Sequence, residues 1–215
     1  MNAEHQDHPW ATFGTGNGGD YRWFDHEQPT GRAWGRHLPH WRQPGCVYFI
    51  TFRLHDSIPE EVLTRWQTER EQWLQHHPYP HDEPTAREYH RLFTARTERY
   101  LDTCHGSCPF RQPAVRQIMA EILHACDGKP TGYGLDAYII MPNHIHTLVA
   151  PTAAYPLSKL VRDWKSISAH RINKHLQRQG PLWQHESWDH IVRSPQHMDK
   201  YRRYIADNPK YLPKQ

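Results

Sequence analysis

The segment GLDAYIIMPNHIHTLVA, residues 134–150, places two apolar runs of strand length on either side of Pro142-Asn143. β-Branched and aromatic residues fill both runs and Pro-Asn is turn chemistry, so the pattern predicts antiparallel strands at about 134–141 and 144–150. Alternate residues of a strand share a face, which puts His144 and His146 on one side and Ile145 in the core on the other. Upstream, Pro113 opens a helix whose one face carries Val115, Ile118, Met119, Ile122, Leu123 and Cys126; Gly128 and Pro130 end it. Before it, CVYFITFRL at 46–54 reads as a buried strand. Downstream comes a helix over about 157–177 with Leu157, Leu160, Val161, Trp164, Ile167 and Leu176 as its core stripe. A short strand near 188–193 and a last helix over about 196–207 follow. Strand, helix, strand, strand, helix, strand is the order of a ferredoxin-like α+β fold, an antiparallel sheet with helices on one face.

Two segments fall outside that order. Residues 57–101 are polar and helix-forming, broken by HHPYPHDEP at 76–84, and predict an inserted helical hairpin opened by a Ser57-Ile-Pro-Glu60 capping box. Residues 1–36 are poor in aliphatics and rich in Gly and His, and read as an irregular arm on a domain spanning 37–215.

With 215 residues, one domain with additions is the natural size. Mean hydropathy is -0.93, yet 9 Trp, 11 Tyr and 6 Phe supply large burial units, which excludes a disordered chain. No apolar run approaches the roughly 18 residues of a spanning helix, and the first residues lack the basic and apolar regions of a secretory signal. Four cysteines make no disulfide framework, so a reducing, cytoplasmic setting is expected. The net charge of +3 conceals an asymmetry: residues 151–215 hold 12 Lys+Arg against 5 Asp+Glu, a net of +7. A polyanion such as nucleic acid belongs on that basic third, along a groove from Lys159, Arg162 and Lys165 towards Arg193, Arg202 and Arg203.

Two constellations can carry chemistry. His144 and His146 can bind one ion, although 19 histidines in the chain make a lone His-x-His pair commonplace by number. Tyr204 and Asn208 lie four apart on the last helix and share a face, with Pro209 closing the helix behind Asn208. A phenol and a carboxamide there can serve as nucleophile and ligand, or merely as a packed ring and a helix cap.

The combination, with its surroundings, resembles the single-tyrosine HUH transposases, most closely their REP-associated tyrosine transposase branch. His40-Trp41 leads into YFITFR at 48–53; MPNHIH follows at 141–146, and LSKL at 157–160 leads to WKS at 164–166. GPLWQ at 180–184, WDHIVR at 188–193 and YIADNP at 204–209 then occur in order. The resemblance implies that His144, His146 and Asn208 hold a divalent metal, Mg²⁺ or Mn²⁺, and that Tyr204 on the C-terminal helix is the nucleophile. It further implies an endonuclease and strand transferase that cuts single-stranded hairpin DNA through a 5′-phosphotyrosine. The pattern departs after Asn208-Pro209, where Lys210-Tyr211 stands in place of the Val-Lys pair of many relatives.

Other readings are weaker. A histidine-triad hydrolase needs a third alternating histidine where Leu148 stands, and Cys104 and Cys108 lack a second pair at zinc-site spacing. A domesticated, non-catalytic hairpin-binding protein of the same fold is the remaining alternative.

Overall fold

The structure, a computed structural model, describes residues 11–16, 21–25, 27–28, 31–34, 39–79 and 81–212. Its centre is a five-stranded sheet of β1 (Thr12–Thr15), β4 (Tyr48–Arg53), β5 (Tyr133–Ile140), β6 (His144–Pro151) and β7 (Trp188–Ile191). The order is β1-β5-β6-β4-β7 and every neighbouring pair is antiparallel. Four of these strands reproduce the ferredoxin-like arrangement expected from 134–150, with the predicted strand bounds shifted by a residue or two. β2 (Gly31–Trp34) and β3 (Pro39–Arg42) form a separate hairpin, tied to β7 by the paired hydrogen bonds of Arg42 to Asp189 at 2.8 and 3.2 Å.

Strand alternation divides the core in two. Tyr48, Ile50, Phe52, Ile145 and Val149 face α4 (Pro113–His124) and α5 (Leu157–His175), where they meet Met119, Leu123, Leu160 and Trp164. Phe49, Ile139 and Leu148 face the other way, against Met198 and Ile205 of α6 (Pro195–Asp207). Each large side chain so buried contributes roughly 1.5–3 kcal/mol, so both faces are held and the strand between them cannot slip by one residue.

The insertion comprises α1 (Glu60–His76), α2 (Glu83–Tyr89), a π-helical turn over His90–Thr94 and α3 (Ala95–Asp102). The expected capping box does not form: Pro59 is the residue before α1, and the Ser57 hydroxyl donates to the Leu54 carbonyl at 2.8 Å while accepting from Arg53. On α5, Ile167 is 49% exposed and Ser168 takes the inward place, its hydroxyl accepting the Trp183 indole N–H at 2.8 Å. Part of the arm is regular: Thr12–Thr15, expected to be irregular, are the edge strand beside β5. Gly14 is required there, because a Cβ would fall on the Tyr138 ring opposite. Residues 1–10, 17–20, 26, 29–30 and 35–36 of the arm lie outside the described residues.

Candidate active site

His144 and His146 sit on the α6 side of β6, 1% and 0% exposed, with ring centroids 4.7 Å apart. Each ring is held by a neighbour. His144 Nδ1 lies 2.8 Å from the Asn143 side-chain oxygen, which can only accept, so the proton is on Nδ1 and the lone pair on Nε2. His146 Nδ1 lies 2.7 Å from the hydroxyl of Thr51, its direct partner across the β4–β6 ladder. Burial pushes the His144 imidazole down to about 3, and burial together with His144 holds His146 well below the usual range. Both rings are therefore neutral and able to donate a lone pair.

Three buried polar atoms are unspent. His146 Nε2 is buried without a hydrogen bond, and so are the oxygen and nitrogen of the Asn208 carboxamide. Asn208 is 0% exposed, at the junction of α6 with the 3₁₀ turn Asn208–Tyr211. Burying such a group unpaired costs about 1–3 kcal/mol, and sites that tolerate the cost are commonly ones that bind something there. Two neutral imidazoles and an amide oxygen suit a divalent cation that accepts mixed nitrogen and oxygen ligands. Among the described residues no group of three His, Cys, Asp or Glu could hold a metal ion.

Tyr204 stands one turn before Asn208, its ring 5.2 Å from that of His146 and edge-on to Phe49 at 5.8 Å. Burial raises its phenol above the ordinary tyrosine range, and Glu98 and Asp102 raise it further. The adjoining Asn208 carboxamide offsets part of that rise without forming a well-shaped hydrogen bond. Tyr201 stacks flat on Phe49 at 4.2 Å and is also raised by burial and Glu98. The four residues singled out from the sequence are thus brought together. Thr51, Asn143 and the Phe49 ring, which stacks on His146 at 5.4 Å, were not singled out. Nor were Glu98 and Asp102 of α3, whose carboxyls burial pushes up to about 7 and about 6.

The basic residues are dispersed. α5 lies on the face opposite the histidines and Arg203 on α6, so a groove from Lys159 and Arg162 on α5 to Arg203 is not continuous, while the Arg193 guanidinium stands 6.0 Å over Phe24, which packs with the α5-side core. Lys159 pairs with Asp163 at 2.6 Å. Lys165 donates to the carbonyls of Gln184, His185 and Glu186, and Arg202 forks onto Asp136 at 2.6 and 2.8 Å. Both are engaged in holding the fold. Arg162, Arg193 and Arg203 are exposed. Trp183 is core, whereas Trp188 is half-buried next to Phe49. The Cys108 thiol donates to the Cys104 carbonyl at 3.1 Å, and burial raises both thiols. Among the described residues no helix is long and apolar enough to cross a membrane.

Residues 109–208 match the family described as transposase, IS200 like. The matched span contains His144, His146, Tyr204 and Asn208, and the resemblance read from the motifs holds at the level of this family. No curated protein matches the chain. Among solved structures, a REP-associated tyrosine transposase bound to a REP hairpin is similar at 15% identity, over 80% of this chain and 73% of that one, with a TM-score of 0.43. A candidate transposase from Deinococcus radiodurans R1 is similar at 16% identity, over 84% of this chain and 98% of that one, with a TM-score of 0.35.

Proposed function

Because residues 109–208 match the IS200-like transposase family, we propose that the protein cuts and rejoins single-stranded DNA at hairpins, in the manner of the REP-associated branch. Tyr204 is the nucleophile, and His144, His146 and Asn208 hold a divalent metal, Mg²⁺ or Mn²⁺. The observation that carries this reading is the convergence of the unspent His146 Nε2 and Asn208 carboxamide beside a buried phenol.

A bound cation supplies charge stabilisation at the oxygens of the scissile phosphate. The protein's own part is positional. Asn143 fixes the His144 imidazole in the form that offers Nε2, Thr51 holds the His146 ring in place, and α6 carries Tyr204 and Asn208 on one face so that nucleophile and ligand approach together. The Tyr204 oxygen attacks phosphorus, the bond from phosphorus to O3′ breaks, and the phenolic proton is released as a free 3′-OH forms. The strand is left as a 5′-phosphotyrosine, and a second 3′-OH attacking that phosphorus reverses the step and joins strands. The raised phenol means the tyrosine is neutral at rest, so its proton must be lost as attack proceeds.

The test is incubation with single strands bearing palindromic hairpins in Mn²⁺, followed by denaturing electrophoresis. A covalent protein–DNA adduct and a free 3′-OH are expected, both abolished by EDTA. A shifted complex without an adduct would instead support a non-catalytic hairpin-binding protein.

A further inference from the structure

The insertion does not close onto the sheet. Within α1 and α2 no residue is fully buried, and on α3 only Leu101 is. Between these helices and the β4–β7 end of the sheet lies a cleft of about 400 Å³. Trp66, Phe93 and Arg96 form the insertion's wall, and Thr51, Arg53 and Trp188 form the sheet's. Thr51 is the residue that holds His146, and Trp188 stands edge-on to Phe49 at 6.1 Å, so the cleft begins where the candidate site ends.

The chemistry of the walls selects an occupant. Three arginines (Arg53, Arg70, Arg96) face three glutamates (Glu60, Glu98, Glu186), of which burial holds Glu98 up to about 7, so the net positive charge of the cleft is small and its pull on a phosphate weak. Its aromatic surface suits a flat ring instead. The Arg96 guanidinium stands 4.7 Å over Trp66 and 5.7 Å from Phe93, donating one N–H to Glu69 at 2.6 Å while its Nε and Nη2 have no acceptor. A planar group with acceptors on its edge would use both the stacking faces and those donors. Small-molecule sites begin at roughly 300 Å³, which leaves room for one nucleotide.

We propose that this cleft takes one unpaired nucleobase of the single strand whose phosphate meets Tyr204, so that the insertion sets where along the strand cleavage falls. The inference rests on the proposed function, and its test separates the two. Hairpins with single-stranded flanks would carry 2-aminopurine, or an abasic site, at one flanking position at a time. One position should lose its 2-aminopurine fluorescence severalfold on binding, and the abasic site there should weaken binding about tenfold or more, as loss of one stacked base does. Filling the cleft from the insertion's wall, with Thr64→Trp on α1 or Thr97→Trp on α3, should remove that position's signal while circular dichroism and hairpin binding persist. If the hairpin binds and forms the adduct but no position is quenched and the abasic scan is flat, the cleft holds no base. Cleft-filled variants indistinguishable from wild type in the scan would overturn it equally. If neither hairpin binding nor adduct occurs, the proposed function falls and the cleft assignment with it.

Discussion

Two tyrosines compete for one role on α6. Tyr204 adjoins Asn208 and approaches the His146 ring, while Tyr201 lies flat on Phe49 as a packing ring. Tyr204→Phe should therefore abolish the adduct and change stability by no more than about 1 kcal/mol, and Tyr201→Phe should leave the adduct. Gel detection of the adduct with matched melting curves checks both. Asn208 gives a second prediction. A buried carboxamide without partners costs about 1–3 kcal/mol, so replacing it with an apolar side chain of similar size, Asn208→Leu, should raise the melting temperature of the metal-free protein. The same variant should lose the further rise that Mn²⁺ gives the wild type. Calorimetry with and without Mn²⁺ reads both effects. His144, His146, Tyr204 and Asn208 were legible in the sequence only in combination, where strand and helix spacing joined the family resemblance, since either pair alone reads equally well as structural. Thr51 was not, since it reaches His146 only through the pairing of β4 with β6, across 95 positions of chain. Asn143 was read as a turn residue, and nothing in its local pattern marks it as a support for the His144 ring.

At the scale of the element, α3 carries the least expected electrostatics. Burial holds the Glu98 and Asp102 carboxyls protonated to about pH 7 and 6 in the fold, against 4.5 and 3.8 otherwise. The unfolded chain thus releases these protons first, and stability falls as pH rises from about 4 to about 7, staying lower above that range. Glu98→Gln should leave the melting temperature unchanged at pH 4 and raise it at pH 8. The expected scale is about 2–4 °C for each kcal/mol relieved, and melting across that pH range measures it. The sequence shows that a helix covers Glu98 but not what the helix packs against. The same limit applies to α5: its length was legible, yet Ser168 rather than Ile167 took the inward position because the Trp183 indole needed an acceptor. Capping failed for a comparable reason, as Ser57 was drawn to the Leu54 carbonyl instead.

Over the whole molecule, charge and chemistry are not on the same side. The excess of basic residues in 151–215 was plain from composition, but the sheet separates α5 from the histidine face. Arg203→Ala should accordingly weaken hairpin binding more than Lys159→Ala and Arg162→Ala. Each phosphate no longer neutralised should also reduce the slope of log affinity against log salt by about 0.7. Salt titrations of the three variants would show it, and equal effects from both faces would mean that the strand wraps the sheet edge.

The short strand β1 is the outer neighbour of β5, from a part of the chain more than a hundred positions away. Without it, the four β5 residues it pairs, Ala137–Ile140, all of them buried, would present an open row of amide and carbonyl groups. Such a row is a template for pairing with another molecule. β1 thus acts as a guard against self-association, and one put in place late, since closing so long a loop is among the slower steps of folding. A newly made chain is most exposed to clumping in the interval before those four residues dock.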